Sequence, residues 1–447
     1  MKSQDIHRYL IILSVLCLVS CNKKTGFEYS EIQQKEISDF DPGYNSYCHL
    51  DLNSNFELNA VECSFYGDFQ NSLDQATKRK SVSNEPFENI YFGPGNNADL
   101  INSLETLLQN NEADESEKAE AKNMLNLLNT PNAKELIGEA KPLLAIGFII
   151  DKAKDYHFTL INEAHFNSQH RSFTNSLLKP LWGQGYRYLA LETLSHKDSA
   201  IYERGYPVKS TGYYTKDSNF GNLVREALEI GYRLIPYETE NGYGGTLRDR
   251  DQAQNIYKKT FKSDKKGKVL VHAGYSHISE TGDSNYEPMG YQLKKLITQD
   301  LLTIDQVEMI GYNDTAKQHD YYTEAVERFG FEEPTIFLTK EDRVIIDPVN
   351  SFSIDIQVFH PETKFRNGRP DWMYKKSIKS IPLSEELQEY KDNLIQAVKR
   401  GEAMDAVPVD QFVISERKVL LLPSGKFDLR LVNCNGDMIA MTELEVY

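Results

Sequence analysis

The stretch His157-Phe158-Thr159-Leu160-Ile161-Asn162-Glu163-Ala164-His165 decides how the middle of the chain is read. It opens as the short apolar run of a buried strand and ends in a carboxylate and an imidazole two positions apart. Working outward, similar strand candidates lie at residues 188–192, 233–237, 268–272 and 306–310. Helical spacing fills the intervals at 169–182, 219–230, 246–261 and 289–299. Strands alternating with helices need crossover connections. That predicts an α/β fold with a mostly parallel sheet and helical crossovers on both faces.

Beyond Pro334 the pattern turns to β. Residues 335–338 and 354–359 read as strands, Ser384 caps a predicted helix running to about 400, and Gly401 stops it. Strands are expected at 411–414, 418–422, 427–432 and 438–446, with turns at Pro423-Ser424-Gly425 and Asn435-Gly436. Upstream, leucines recur at helical spacing over 99–128 on either side of an acidic break at 111–117, which predicts a helical hairpin. The expected organisation is a signal peptide at 1–20, a tether at 21–45 and a partly helical N-terminal segment at 46–150. An α/β core at 151–335, strands and a helix at 336–400, and a small antiparallel β unit at 401–447 follow.

The 447 residues have ordinary globular composition, and the net charge of -16 offers no field for a phosphate-rich partner, so no nucleic-acid role is expected. Near the N-terminus, Lys2, His7 and Arg8 precede an apolar run over 9–19, shorter than the roughly 20 residues that a spanning helix needs. The run ends in Leu18-Val19-Ser20-Cys21, which resembles a bacterial lipobox. Cys21 is therefore the expected lipidation site, with the protein lipid-anchored in the cell envelope, at the outer membrane. In such an oxidising compartment Cys48 and Cys63 are expected to pair, leaving Cys434 over.

In an open parallel sheet, ligands bind beyond the carboxyl ends of the strands. Four such ends carry polar groups: Glu163 and His165 after the first strand, Glu192 after the second, Glu238 and Glu240 after the third, and Gly274-Tyr275-Ser276-His277 after the fourth. Glu163 and His165 are spaced so that a carboxylate can orient an imidazole, and Glu192 closes a strand that should be buried, where an acid needs a partner. Arg248, in Arg248-Asp249-Arg250-Asp251, opens a helix and can meet a substrate carboxylate or an oxyanion. His170 is expected in a structural or rim role and His272 in the core. No HExxH, Walker A, strand-borne GxGxxG or GxSxG motif occurs in this region.

These residues resemble the superfamily of erythromycin esterases, ChaN-like haem-uptake proteins and the TraB/Tiki group. Ile161 to His170 is similar to the ChaN-like opening, with Asn162 standing where a glycine is usual. Leu189-Ala190-Leu191-Glu192 is similar to the second-strand glutamate, residues 248–256 to the arginine-rich helix of the esterase branch, and Gly274-Tyr275-Ser276-His277 to the late Gly-x-x-His element. The likeness covers about residues 155–312. The superfamily includes lactone-opening esterases, metal-dependent peptidases and haem binders; with the lipobox-like run, the leading expectation is a membrane-tethered hydrolase of a small ester, lactone or amide. His165 or His277 would be the base for water, Glu163 or Glu192 would orient it, and Arg248 would steady negative charge.

A divalent metal held by Glu163, His165, Glu192 and His277 is the same site with another activator. The alternative is a haem or iron-compound binding lipoprotein without catalysis, its axial ligand one of these histidines or a tyrosine such as Tyr243 or Tyr275.

Overall fold

The computed structural model describes residues 26–37, 56–82, 104–110, single positions between 115 and 125, and 133–447 apart from 243, 283–285, 352 and 416–417. Cys21, Cys48 and Tyr243, and most of the expected hairpin at 99–128, lie outside the described residues.

Six strands form one parallel sheet: β1 Phe158–Glu163, β2 Tyr186–Leu191, β3 Arg233–Pro236, β4 Lys268–Gly274, β5 Leu302–Asp305 and β6 Ile356–Gln357. Their spatial order is β6-β5-β1-β4-β2-β3. The crossovers include α1 Ser168–Gly183, α2 Ser218–Ile230, α3 Gly245–Lys259 and α4 Met289–Ile297. The period of two along each strand divides the core. Ile161, Leu189, Leu234 and Leu270 pack with Phe173, Leu177, Leu223 and Val224 of α1 and α2. Their neighbours Leu160, Ala190, Ile235 and Val271 pack with Ala253, Ile256, Met289 and Leu293 of α3 and α4.

Helix ends follow local chemistry. Asn167 caps α1 by accepting the Gln169 N–H, and Asp217 caps α2 by accepting those of Asn219 and Phe220. Gly231, at φ +111°, ends α2 in the left-handed conformation that glycine adopts without cost. The same core takes in the helix Ala145–Lys152, through buried Ala145 and Ile149.

The chain is mixed α/β, and its antiparallel part is larger than expected. β7 Leu394–Lys399, β8 Asp410–Val413, β9 Gly425–Val432 and β10 Met438–Val446 form an antiparallel sheet whose order ends β10-β9-β7-β8. Phe27–Tyr29 and Gln33–Ile37 both pair with β10, so part of the expected tether at 21–45 belongs to this sheet. An edge strand is held by backbone hydrogen bonds and needs few apolar side chains, here Phe27, Tyr29 and Ile32.

Four further expectations are corrected. The helix after Ser384 is only Glu385–Gln388; Asp392, at φ +65°, turns the chain and Leu394 starts β7 instead. The expected strand at 306–310 is β5 at Leu302–Asp305, because Gln306 leaves the ladder to bond Asn162. Cys63 is a free thiol, buried in the helix Phe56–Phe65, and burial pushes it up to about 12. It therefore forms no bridge with Cys48. Cys434, expected to be left over, is disulfide-bonded, with its partner outside the described residues.

Candidate active site

Because β1, β2 and β4 are parallel, their carboxyl ends fall on one edge of the sheet, and the polar residues that follow each strand meet there. Glu163 closes β1 and is 1% exposed. Its Oε1 lies 3.0 Å from His165 Nδ1 and accepts Arg171 Nη2 at 2.8 Å. Its Oε2 accepts Arg171 Nε at 2.7 Å and lies 2.8 Å from His272 Nε2. Burial pushes this carboxyl upward, but the Arg171 guanidinium outweighs it and holds Glu163 well below the usual carboxylate range. Arg171 is fixed in turn by Asp217, 3.1 Å away.

The side chain of His165 is 14% exposed. Its ring stacks on Tyr214 at 4.3 Å and meets the edge of Tyr275 at 4.9 Å. Its Nε2 has no hydrogen-bond partner among the described residues. Gly274 makes the close approach possible, since a Cβ there would lie 2.5 Å from His165 Nε2 and 3.0 Å from Glu192 Oε2. Glu192 takes the Gly274 N–H and Arg248 Nη2, the latter at 2.8 Å. Burial opposes its charge, yet His165, His277 and Arg248 bring its carboxyl down to about 2. Thr193 and Tyr275, just past the β2 and β4 ends, hold φ of +60° and +41°, a strained backbone for residues other than glycine.

Across Glu192 stands a second imidazole. His277 Nδ1 lies 2.8 Å from Asp249 Oδ2, and its Nε2 lies 3.0 Å from Arg248 Nη1 and 4.0 Å from Glu192 Oε1. Asp249 Oδ2 also accepts from Tyr286 at 2.7 Å and from the Met289 N–H at 2.9 Å. Burial lowers the proton affinity of His277, but Asp249 and Glu192 raise it more, so the net shift is upward. Arg248 spends its remaining donors on Glu238, at 2.9 and 2.6 Å.

The structure therefore brings together all five residues expected from the strand ends: Glu163, His165, Glu192, Arg248 and His277. Tyr275 joins them through its ring. His272 is a satisfied core histidine, with Thr174 on its other nitrogen at 3.1 Å. His170 is fully buried, at 0% exposure, and accepts the Ala164 N–H, so its role is structural and not on a rim.

As a metal set the four expected ligands do not fit. Glu163 spends both oxygens on Arg171 and two histidines, and both His277 nitrogens face partners. Among the described residues no group of three or more His, Cys, Asp or Glu side chains is arranged to hold an ion. Glu238 is one of the strand-end acids read from the sequence and meets Arg248 here, whereas sequence reasoning did not single out Arg171, Asp217, Asp249, Tyr214 and Tyr286 as site residues. Only Asp249 carried a signal, as an acid beside Arg248 near a helix start.

No family model matches the chain, and no curated protein does. Several solved structures align weakly, among them these three. The type III effector HopBA1 aligns over 40% of this chain and 94% of its own, at 15% identity and a TM-score of 0.28. A structure described as bacterial protein toxins covers 62% and 69%, at 11% identity and 0.30. The C-terminal region of Pasteurella multocida toxin, described as having a thiol-protease like catalytic triad, covers 78% and 61%, at 9% identity and 0.28. Similarity at this level establishes neither a shared fold nor a shared chemistry.

Proposed function

We propose that the site hydrolyses a small ester, lactone or amide with water activated by His165. The observation that carries this reading is the pairing of His165 Nδ1 with buried Glu163 while Nε2, close to Gly274, has no hydrogen-bond partner among the described residues. Nε2 takes a proton from water as the oxygen attacks the acyl carbon. Glu163 accepts the Nδ1–H and stabilises the imidazolium, which returns its proton to the leaving oxygen or nitrogen. His277, held by Asp249 and facing Arg248, is less free to act as this base. Arg248, with its charge answered by Glu192 and Glu238, positions Glu192.

The resemblance to the erythromycin esterase, ChaN-like and TraB/Tiki superfamily supports the same class, and the lipobox-like run supports a lipid anchor at Cys21. Haem ligation would draw on the same His165 Nε2. The test is turnover of a panel of small activated esters and lactones, beside absorbance spectra with added haemin. Turnover lost in His165→Ala supports the hydrolase. No turnover together with a Soret band that His165→Ala abolishes would favour the binder.

A further inference from the structure

A cleft lies on the far side of α1 and α2 from the parallel sheet. These helices bury Phe173, Leu177, Phe220 and Leu223 inward, and their outer faces are roofed by the C-terminal β unit, leaving a cleft of about 630 Å³ between the two. That size suits a small molecule, and junctions between structural units are where such sites concentrate.

The helical wall is made of short amides and hydroxyls. Asn175 and Ser176 come from α1, and Asn219 and Asn222 from α2. Asn175 Oδ1 and Asn219 Nδ2 are buried without a hydrogen-bond partner among the described residues, an expense that a polar ligand would relieve. The opposite wall includes apolar Val409 and Leu421, and Val409 is tied to the helical wall through its carbonyl and Asn222 Nδ2 at 2.8 Å. Lys179, Lys375 and Lys399 line the cleft with no ion-pair partner among the described residues. They outnumber Glu226 and Glu229, since Arg225 is matched by Glu402 at 2.7 Å. In a chain of net charge -16 this is a locally cationic place.

We propose that this cleft binds an acidic saccharide unit. A sugar ring offers hydroxyls along its edge to the amide wall and a C–H face to the apolar wall, and a carboxylate answers the lysines. The site is separate from the hydrolytic reading and does not depend on it.

Calorimetric titration of the full chain with glucuronate, and with glucose as the neutral control, tests it. Saturable glucuronate binding is expected, stronger than glucose binding, weakened about tenfold by Lys375→Glu and abolished by Ser176→Trp, which fills the cleft. Lys375 is exposed, so its variant keeps the test should Ser176→Trp fail to fold. No saturable glucuronate binding, glucose binding as tight as glucuronate, or binding unchanged in Lys375→Glu would each overturn the proposal.

Discussion

His165 Nδ1 lies 3.0 Å from Glu163 Oε1, and the same carboxylate is gripped by the buried guanidinium of Arg171. Orientation of the imidazole and neutralisation of a buried cation thus rest on one side chain. Glu163→Gln puts an amide N–H2 against the Arg171 donors and removes the charge that compensates them, leaving Asp217 alone to do so. Breaking a buried pair from one side is strongly destabilising, so a loss of about 3 kcal/mol is expected in urea unfolding. A variant as stable as the parent would show that Arg171 does not depend on Glu163.

Gly274→Ala separates site geometry from fold. The added methyl would lie 2.5 Å from His165 Nε2, at the far end of a partly exposed side chain, and Gly274 keeps an ordinary extended backbone at φ -79°. Ester turnover should fall about 100-fold through displacement of the imidazole, with little change in the thermal midpoint. Full activity in this variant would mean that His165 does not need its present place.

The parallel core was legible because its evidence is local: apolar strands of β1, β2 and β4 alternate with amphipathic α1, α2 and α4, and the strand-end polar residues follow from parallel geometry. The Ser384 helix was misread because Leu387, Leu394, Ile395 and Val398 fit helical spacing across a turn whose left-handed residue, Asp392, is no glycine. Phe27–Tyr29 and Gln33–Ile37 escaped notice because an edge strand's stability sits in a partner more than 400 positions away. Arg171 and Asp217 were missed for the same reason: their pairing joins two helices, and no spacing within either helix announces it.

Acid should weaken the folded state at this site. The Glu192 carboxyl lies at about 2 in the folded chain against an ordinary 4.5, so the unfolded chain takes up its proton first as pH falls. Its contribution is fully present above about pH 4.5 and is lost on the way down to about 2, amounting to roughly 3 kcal/mol. Glu163 shifts in the same direction. Urea midpoints measured from about pH 5 to pH 3 should fall less steeply for Glu192→Gln than for the parent. Parallel pH dependences would refute the assignment.

Removal of divalent ions should leave turnover intact, because the oxygens of Glu163 and the nitrogens of His277 already have protein partners. Dialysis against a chelator followed by rate measurement checks this. A rate lost on dialysis and restored by added zinc would contradict it.

The most direct test compares the initial rate of hydrolysis of one small activated ester or lactone by the parent and by His165→Ala, with thermal midpoints measured alongside. General-base assistance is typically worth about 10²- to 10⁴-fold, and a fall of that size at a nearly unchanged midpoint is the result predicted here. Equal rates for the two proteins, with both folded, would show that water is not activated at His165.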